Sequence, residues 1–504
     1  MKKALITFVV FLFSVSNMFG QGNVLYSMIQ QIKKTNVVFS TVSVLSKVSA
    51  EKRVLNNFEN PDEVIFFEYR SPYISNYEHT HGINLIIPVK DKNITLELMT
   101  VPDDFYNYEI ITSAGEKKTA NKNIKHYQGV VQGETNSLAA ISFYEDGIMG
   151  LISLNDGNYN IVKDEQSGKH FIYNDKNLKE RLQMVCGTTD EDSVSYKSYV
   201  LFQQRDQIIK SRTLSQQLQA AGRDKVVKFY FETEYDIYQT RGSVSSVEAF
   251  ITGLYNQVAI LYQNEDIPTQ ISSIYVWTST DPYTGTTTAT LLSQFQSTRT
   301  SFTGDLGMLL TFRSVGGGLA AGFNGLCNTS VSQRLAVAML YNSYSNIPTY
   351  SWSVQVVTHE FGHLFGSRHT HACVWNGNNT AIDGCAGAVE GTCSLPGYPA
   401  DGGTIMSYCH LSGRPGIHFS LGFGSQPGNV IRNSVSNASC LTPCDTPTNY
   451  TDHTVTSNTT VTGCVINVQN VTVENGAKLT LDAENRTVIN GAFEVKLGSA
   501  LEIK

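Results

Sequence analysis

Alternation of apolar and polar positions dominates the first third of the chain. In GINLIIPVKDKNITLELMTVP, Ile94, Leu96 and Leu98 fall on one side and Thr95 and Glu97 on the other, the two-residue period of a half-buried strand. SLAAISFYEDGIMGLISLNDGNYNIV continues the pattern in strands joined at Asp146-Gly147 and Asp156-Gly157, dipeptides suited to tight hairpins. Residues 22–180 therefore predict an all-β unit, and no cluster of His, Cys and carboxylate residues lies within it.

The texture then changes twice. Residues 187–223 are polar, rich in Ser, Gln and basic side chains, and lack a sustained apolar face, which predicts a linker with a short helical piece, open to proteolysis near Arg212 or Arg223. From Lys225 the period lengthens. KVVKFYFET reads as a strand; the next segment is a helix carrying Val247, Phe250, Ile251, Leu254, Val258 and Leu261 on one side. ISSIYVW and GMLLTF are further strands separated by the helix TATLLSQFQSTRTSF. Strands alternating with helices predict a partly parallel, helix-covered sheet. After Cys444 short alternating strands return, punctuated at Asn475-Gly476, Asn490-Gly491 and Gly498, as in a small solenoid. A carbohydrate, surface or export role for that tail stands beside that of a plain spacer.

The N-terminus has Lys2 and Lys3, an apolar run from Ala4 to Val15, and Gly20 before Gln21. This is the layout of a signal peptide, too short to span a bilayer, and it predicts a secreted, extracellular protein without a membrane span. A net charge of −7 without clustered Lys or Arg excludes a nucleic-acid surface. Export permits disulfides, yet the nine cysteines are an odd number and Cys186 stands far from the others.

The segment HEFGHLFGSRH, residues 359–369, concentrates the chemistry. His359 and His363 are four apart and project from one helix face, at a spacing that suits two ligands of one zinc ion. Val357, Phe361, Leu364 and Phe365 supply apolar surface to pack that helix. Gly366 lets the chain leave the helix, returning His369 as third ligand. Three histidines leave one position open, the mark of a catalytic rather than structural zinc. Glu360 adjoins the first ligand, where its carboxylate can act as a general base without binding the metal. Met406 follows 37 residues beyond His369 in the turn-like GGTIMSYCH. His371, His410 and His418 read as wall or surface residues.

The extended zinc motif with a following Met is the signature of the metzincin metallopeptidases, and the chain resembles their adamalysin/reprolysin (ADAM-like) family in a bacterial secreted form. Residues 126–152 are similar to that family's propeptide, MVCGTT to its cysteine switch, and GGGLAAGFNGLCNTSVSQRLAVAM to its active-site edge strand. The resemblance covers about residues 80–442. It implies a signal peptide (1–20), a β-rich propeptide ending in the switch (21–186), an activation linker (187–223), an α/β metzincin catalytic domain with a mixed sheet and zinc-binding helix (224–444), and a C-terminal all-β module (445–504). Two departures stand out: Thr370 replaces the family's usual Asp after the third histidine, and no cysteine-dense disintegrin domain follows. Thr370 also differs from the Glu of astacins, although Tyr408 follows Met406 as in them, and the calcium repeats of serralysins are absent. Calcium has no supporting motif.

The resemblance implies a zinc endopeptidase acting on proteins or peptides, inhibited by its own propeptide. Glu360 would be the base, Met406 would lie under the metal, and extended substrate would pair with Gly318, Leu319 and Ala320. It pairs Cys327 with Cys440. For the four cysteines after the zinc helix, Cys373 with Cys409 and Cys385 with Cys393 is the preferred arrangement, a structural zinc the competing one, and Cys444 with Cys464 would tie on the tail. Cys186 remains, as the thiolate expected to fill the open zinc position. The competing function is a non-catalytic surface- or polysaccharide-binding protein on a metzincin scaffold, against which the intact Glu360 and three histidines weigh.

Overall fold

The structure, a computed structural model, describes residues 24–34, 39–70, 82–89, 92–164, 166–179, 186–188, 225–341, 350–411, 413–441, 447–489 and 491–503. The expected signal peptide, linker residues 189–223 and Cys444 lie outside the described residues.

The N-terminal region opens with an amphipathic helix, α1 (Val24–Lys34), which the strand pattern does not announce. Strands β1 (Phe39–Val42), β2 (Leu45–Lys47), β3 (Ile65–Tyr69), β4 (Gly82–Val89) and β5 (Lys92–Thr100) follow. A separate hairpin, β6 (Glu109–Thr112) and β7 (Lys117–Thr119), precedes β8 (Lys125–Val131), β9 (Leu138–Tyr144), β10 (Gly147–Leu154), β11 (Gly157–Lys163) and β12 (His170–Asn174). All but the hairpin join one sheet, ordered β1-β4-β5-β8-β9-β10-β11-β12-β3-β2. Its interior face closes on Val42, Phe67, Leu85, Leu96, Leu98, Ile141 and Ile172. The opposite face is also covered, so the expected outward position of Glu97 is corrected. Glu97 is 1% exposed, and Lys33 of α1 donates to it at 2.6 Å, with Gln132 donating at 3.0 Å. A buried carboxylate needs such partners.

The second sheet runs β16 (Gly318–Ala320), β17 (Leu335–Met339), β15 (Leu306–Thr311), β13 (Val227–Thr233), β14 (Thr269–Val276), then β6 and β7. Its long strands are parallel, and β16 runs antiparallel at one edge. At the other edge β6 pairs in parallel with β14, Glu109 opposite Ser273 and Thr112 opposite Val276. Two strands from the N-terminal region thus complete a sheet whose other strands all follow residue 225. Among the described residues the further helices are α2 (Lys52–Leu55) in the first unit, then α3 (Tyr235–Arg241), α4 (Val244–Asn264), α5 (Thr288–Thr298), α6 (Tyr350–Leu364) and α7 (Ser425–Asn437). Phe229 of β13 stacks on Phe361 of α6 with ring centroids 3.9 Å apart, which fixes the histidine-bearing helix on the sheet.

The tail is a stack of parallel strands, β18 (Thr448–Val455), β19 (Thr459–Val473), β20 (Lys478–Ile489) and β22 (Ala500–Ile503), with β21 (Phe493–Val495) on β19. Ile466, Val468, Leu479 and Leu481 fill it. Asn475 and Gly476 both take positive φ, as the turn there requires. Among the described residues no helix is long and apolar enough to cross a membrane.

Candidate active site and metal centre

α6 carries His359, Glu360 and His363, and the chain turns away at Gly366, whose φ of 112° explains the glycine. His369 then returns to the same spot. The Nε2 atoms of the three imidazoles lie 3.1–3.2 Å from one another. Each Nδ1 faces an acceptor: Ile405 O for His359 and Ser367 O for His363, both at 2.8 Å, and Glu390 Oε1 for His369 at 2.7 Å. With Nδ1–H donating, every Nε2 lone pair points to the common centre, which is how histidines are prepared for a metal ion. Burial holds the His359 and His363 imidazoles well below their usual range, neutral as ligands must be. The fourth donor nearby is Cys186, whose Sγ is 3.4 Å from His363 Nε2; all four donor atoms lie within 4.8 Å of one another and all four residues are buried. Burial first, and then Glu360, push the Cys186 thiol up. This donor set, three imidazoles and one sulfur, has the chemistry and focus of a tetrahedral zinc site.

The segment bearing Cys186 lies along β16. Gly187 N donates to Gly318 O at 3.2 Å, Ala320 N donates to Thr188 Oγ1 at 3.0 Å, and Tyr408 Oη donates to Cys186 O at 3.0 Å. Glu360 is beneath this strand, and a Cβ on Gly318 would overlap its carboxylate. Burial pushes the Glu360 carboxyl up to about 8 in this closed arrangement. Met406 is fully buried with its Sδ against Gly362, and its carbonyl accepts from Thr370 N at 3.1 Å. The residues expected from the sequence, Cys186, Gly318, Leu319, Ala320, His359, Glu360, His363, His369 and Met406, therefore converge on one cleft.

Glu390 was missed. The sequence flags Thr370 as an unfamiliar successor to His369, and Glu390 is where the carboxylate comes from instead. Its backbone answers His371 and Cys373: Glu390 N donates to His371 O at 3.1 Å, and Cys373 N donates to Glu390 O at 2.7 Å. Burial opposes its charge, but hydrogen bonds from His369 and His371 hold the carboxyl at about 2. Only elimination could have found it: between His369 and Asp401 the acidic residues are Asp383 and Glu390.

Cys327 bonds to Cys440. The preferred pairing of the next four is corrected to Cys373 with Cys393 and Cys385 with Cys409. The backbone bridge between Ala372 and Glu390 brings Cys373 to the 393 side, while Arg414 Nε donates to Cys385 O at 2.8 Å and ties Cys385 to the loop after Cys409. With all four in disulfides, a structural zinc on them is also excluded. Cys464 is disulfide-bonded as well, and Cys186 is free.

A family model of reprolysin-type peptidases, metallo-peptidase family M12, matches residues 223–417. The disintegrin and metalloproteinase domain-containing protein 2 of Oryctolagus cuniculus is 26% identical over 268 residues, 50% of this chain and 33% of that protein. Its counterpart in Cavia porcellus is 26% identical over 254 residues, 47% and 32% of the two chains. The chain thus spans about a third of the length of the curated relatives it matches. The crystal structure of metalloproteinase-II from Bacteroides fragilis aligns at a TM-score of 0.34 with 13% identity, over 59% of this chain and 84% of that one. The matched segment carries the three convergent histidines, Glu360 and the edge strand, and over residues 223–417 this chain is similar to the reprolysin-type metallopeptidases of family M12.

Proposed function

We propose that the protein is a secreted zinc endopeptidase made in latent form, with His359, His363 and His369 as metal ligands, Glu360 as general base and Cys186 as the removable fourth donor. The convergence of three Nε2 atoms beside Glu360 carries the reading. Bound zinc would supply Lewis acidity toward the scissile carbonyl and the attacking water.

The chain's own residues supply the rest. The Nδ1 hydrogen bonds keep the imidazoles from rotating. β16 offers Gly318 O and Ala320 N to an extended peptide, the groups now engaged by Gly187 and Thr188. The absence of a Cβ at Gly318 leaves room for the Glu360 carboxylate under that peptide. Glu360 takes a proton from water as it attacks and delivers one to the leaving nitrogen. While Cys186 is docked, Gly187 and Thr188 occupy the strand-pairing groups, and latency has two components: a sulfur at the metal position and a backbone in the cleft.

Glu360→Gln in the processed enzyme should keep its zinc and lose peptide hydrolysis by roughly 10²–10⁴-fold, the usual worth of a positioned base. Zinc analysis and a peptide-cleavage assay on the same sample test this, and substantial retained turnover would remove Glu360 from its role.

A further inference from the structure

The N-terminal unit is bound to the rest of the protein far more extensively than a blocking segment requires. Residues Phe250–Tyr262 of α4 are all buried, a helix covered on every side. One side meets the second sheet and α6, where Tyr255 contacts Phe229, and Tyr262 contacts Phe365. The other meets the N-terminal sheet. Tyr144 Oη donates to Ala249 O at 3.0 Å, and a Cβ at Gly253 would overlap Tyr144 Oη and press on Met149 Sδ. Gln128 donates to Asn256 Oδ1 at 3.0 Å, and Asn256 Nδ2 donates to Ile141 O at 3.2 Å. Glu248 accepts from Tyr108 Oη at 2.9 Å and Asn121 N at 2.6 Å.

Three further features extend this interface. β6 and β7 complete the β14 edge, so their departure would leave an unpaired parallel strand. Asn158 and Ser153 bond the loop after the metal site, Asn158 Nδ2 donating to Ile417 O at 2.7 Å and Ser420 N to Ser153 Oγ at 2.8 Å. Val130, Ala140, Met149 and Leu151 of the N-terminal sheet belong to the same continuous apolar core as Leu254, Val258 and Phe361. By contrast, among the described residues the contact at the histidine cluster is made by the short stretch 186–188.

We infer that the N-terminal unit is a permanent non-covalent subunit: after the chain is cut between Thr188 and Lys225, the two pieces stay together through α4 and the β14 edge. This rests on the zymogen reading, and it moves the activating event from loss of a domain to withdrawal of the short stretch around Cys186. No disulfide can supply the attachment, because Cys186 is the single cysteine before Lys225 and is free.

The test is limited trypsin cleavage of the full chain in the 189–224 segment, followed by gel filtration without denaturant and separation of the fragments on a denaturing gel. Co-elution of both fragments is expected, and separate elution would overturn the inference. Gly253→Leu should raise the fragment dissociation constant at least ~10-fold through overlap with Tyr144. Gln128→Ala, which leaves a cavity rather than a clash, should raise it about 5-fold by removing a buried hydrogen bond. Unchanged association in both variants would refute the assigned interface. The same fractions of Cys186→Ala are assayed for zinc and peptide cleavage. A co-eluting, zinc-loaded pair without peptidase activity would sink the proposed function and leave the assembly standing; an active catalytic fragment that elutes alone would do the reverse.

Discussion

Replacing Glu390 by Ala should weaken zinc binding without touching a ligand. In the structure His369 is fully buried and its Nδ1–H has Glu390 Oε1 as acceptor at 2.7 Å. Removing the carboxylate leaves a buried donor to be satisfied by whatever water can enter, a loss of about 1–3 kcal/mol. At about 1.4 kcal/mol per decade this is a 5- to 150-fold weaker dissociation constant, which overlaps the roughly 10- to 100-fold range seen when the outer partner of a metal-bound histidine is lost. Glu390→Gln separates the two contributions: its amide oxygen still accepts the hydrogen bond, but the negative charge is gone, so its loss should be the smaller of the two. The assay is competition for zinc against a chromophoric chelator, with the Cys186→Ala background used to keep the thiol out of the measurement. Far-ultraviolet circular dichroism checks that the disulfide-bounded loop still folds. If Glu390→Ala holds zinc within threefold of the parent, the carboxylate does not support His369 and the departure at Thr370 has no compensation in this loop.

Gly318→Val should place a side chain where the Glu360 carboxylate lies, lowering kcat more than zinc occupancy; equal kcat in the two proteins would show that Glu360 has other room. Cys186→Ala should give a precursor that hydrolyses peptides before any cleavage, and a precursor as latent as the parent would assign latency to the N-terminal unit alone. Acid should loosen that unit: burial lowers His126 to about 3 and His170 to about 4, so their stabilising neutrality is complete above the unfolded value near 6.5 and is lost as pH falls toward those folded values. Between pH 7 and 5 the cost is about 2 kcal/mol for each histidine, visible in urea titrations, and a double His126→Gln, His170→Gln variant with the same pH dependence as the parent would contradict it.

Legibility in the sequence followed the range of the interaction. The two-residue period around Leu96 and the longer period of α4 are local, and both elements form where the pattern puts them. The histidine-bearing helix is local too, because His359, Glu360 and His363 share one turn and Gly366 marks its end. The faces left over were harder to read. Glu97 sits on a polar stripe by pattern, yet α1 lies over it; nothing within the strand records a helix packed more than sixty residues away in sequence. The β6–β7 hairpin reads as part of an all-β unit and pairs with a different sheet, since edge pairing depends on which strand end is open in space. The pairing of the four cysteines from Cys373 to Cys409 was illegible for the same reason, while Cys327 with Cys440 is as expected: spacing allows the four three pairings, and the Ala372–Glu390 bridge that selects among them joins two loops without periodicity.

The three acceptors behind the histidines come from three places, the Ser367 carbonyl just past α6, the Ile405 carbonyl beside Met406, and the Glu390 carboxylate of a disulfide-held loop. Grafting residues 359–369 onto a foreign helix would therefore transfer three donor atoms and the one acceptor at Ser367, leaving two of the rings free to turn. On the proposed reading the eleven-residue motif is a portable address for a metal while the affinity belongs to the surrounding fold, and a scaffold that borrows the motif must also borrow the loops near 390 and 405.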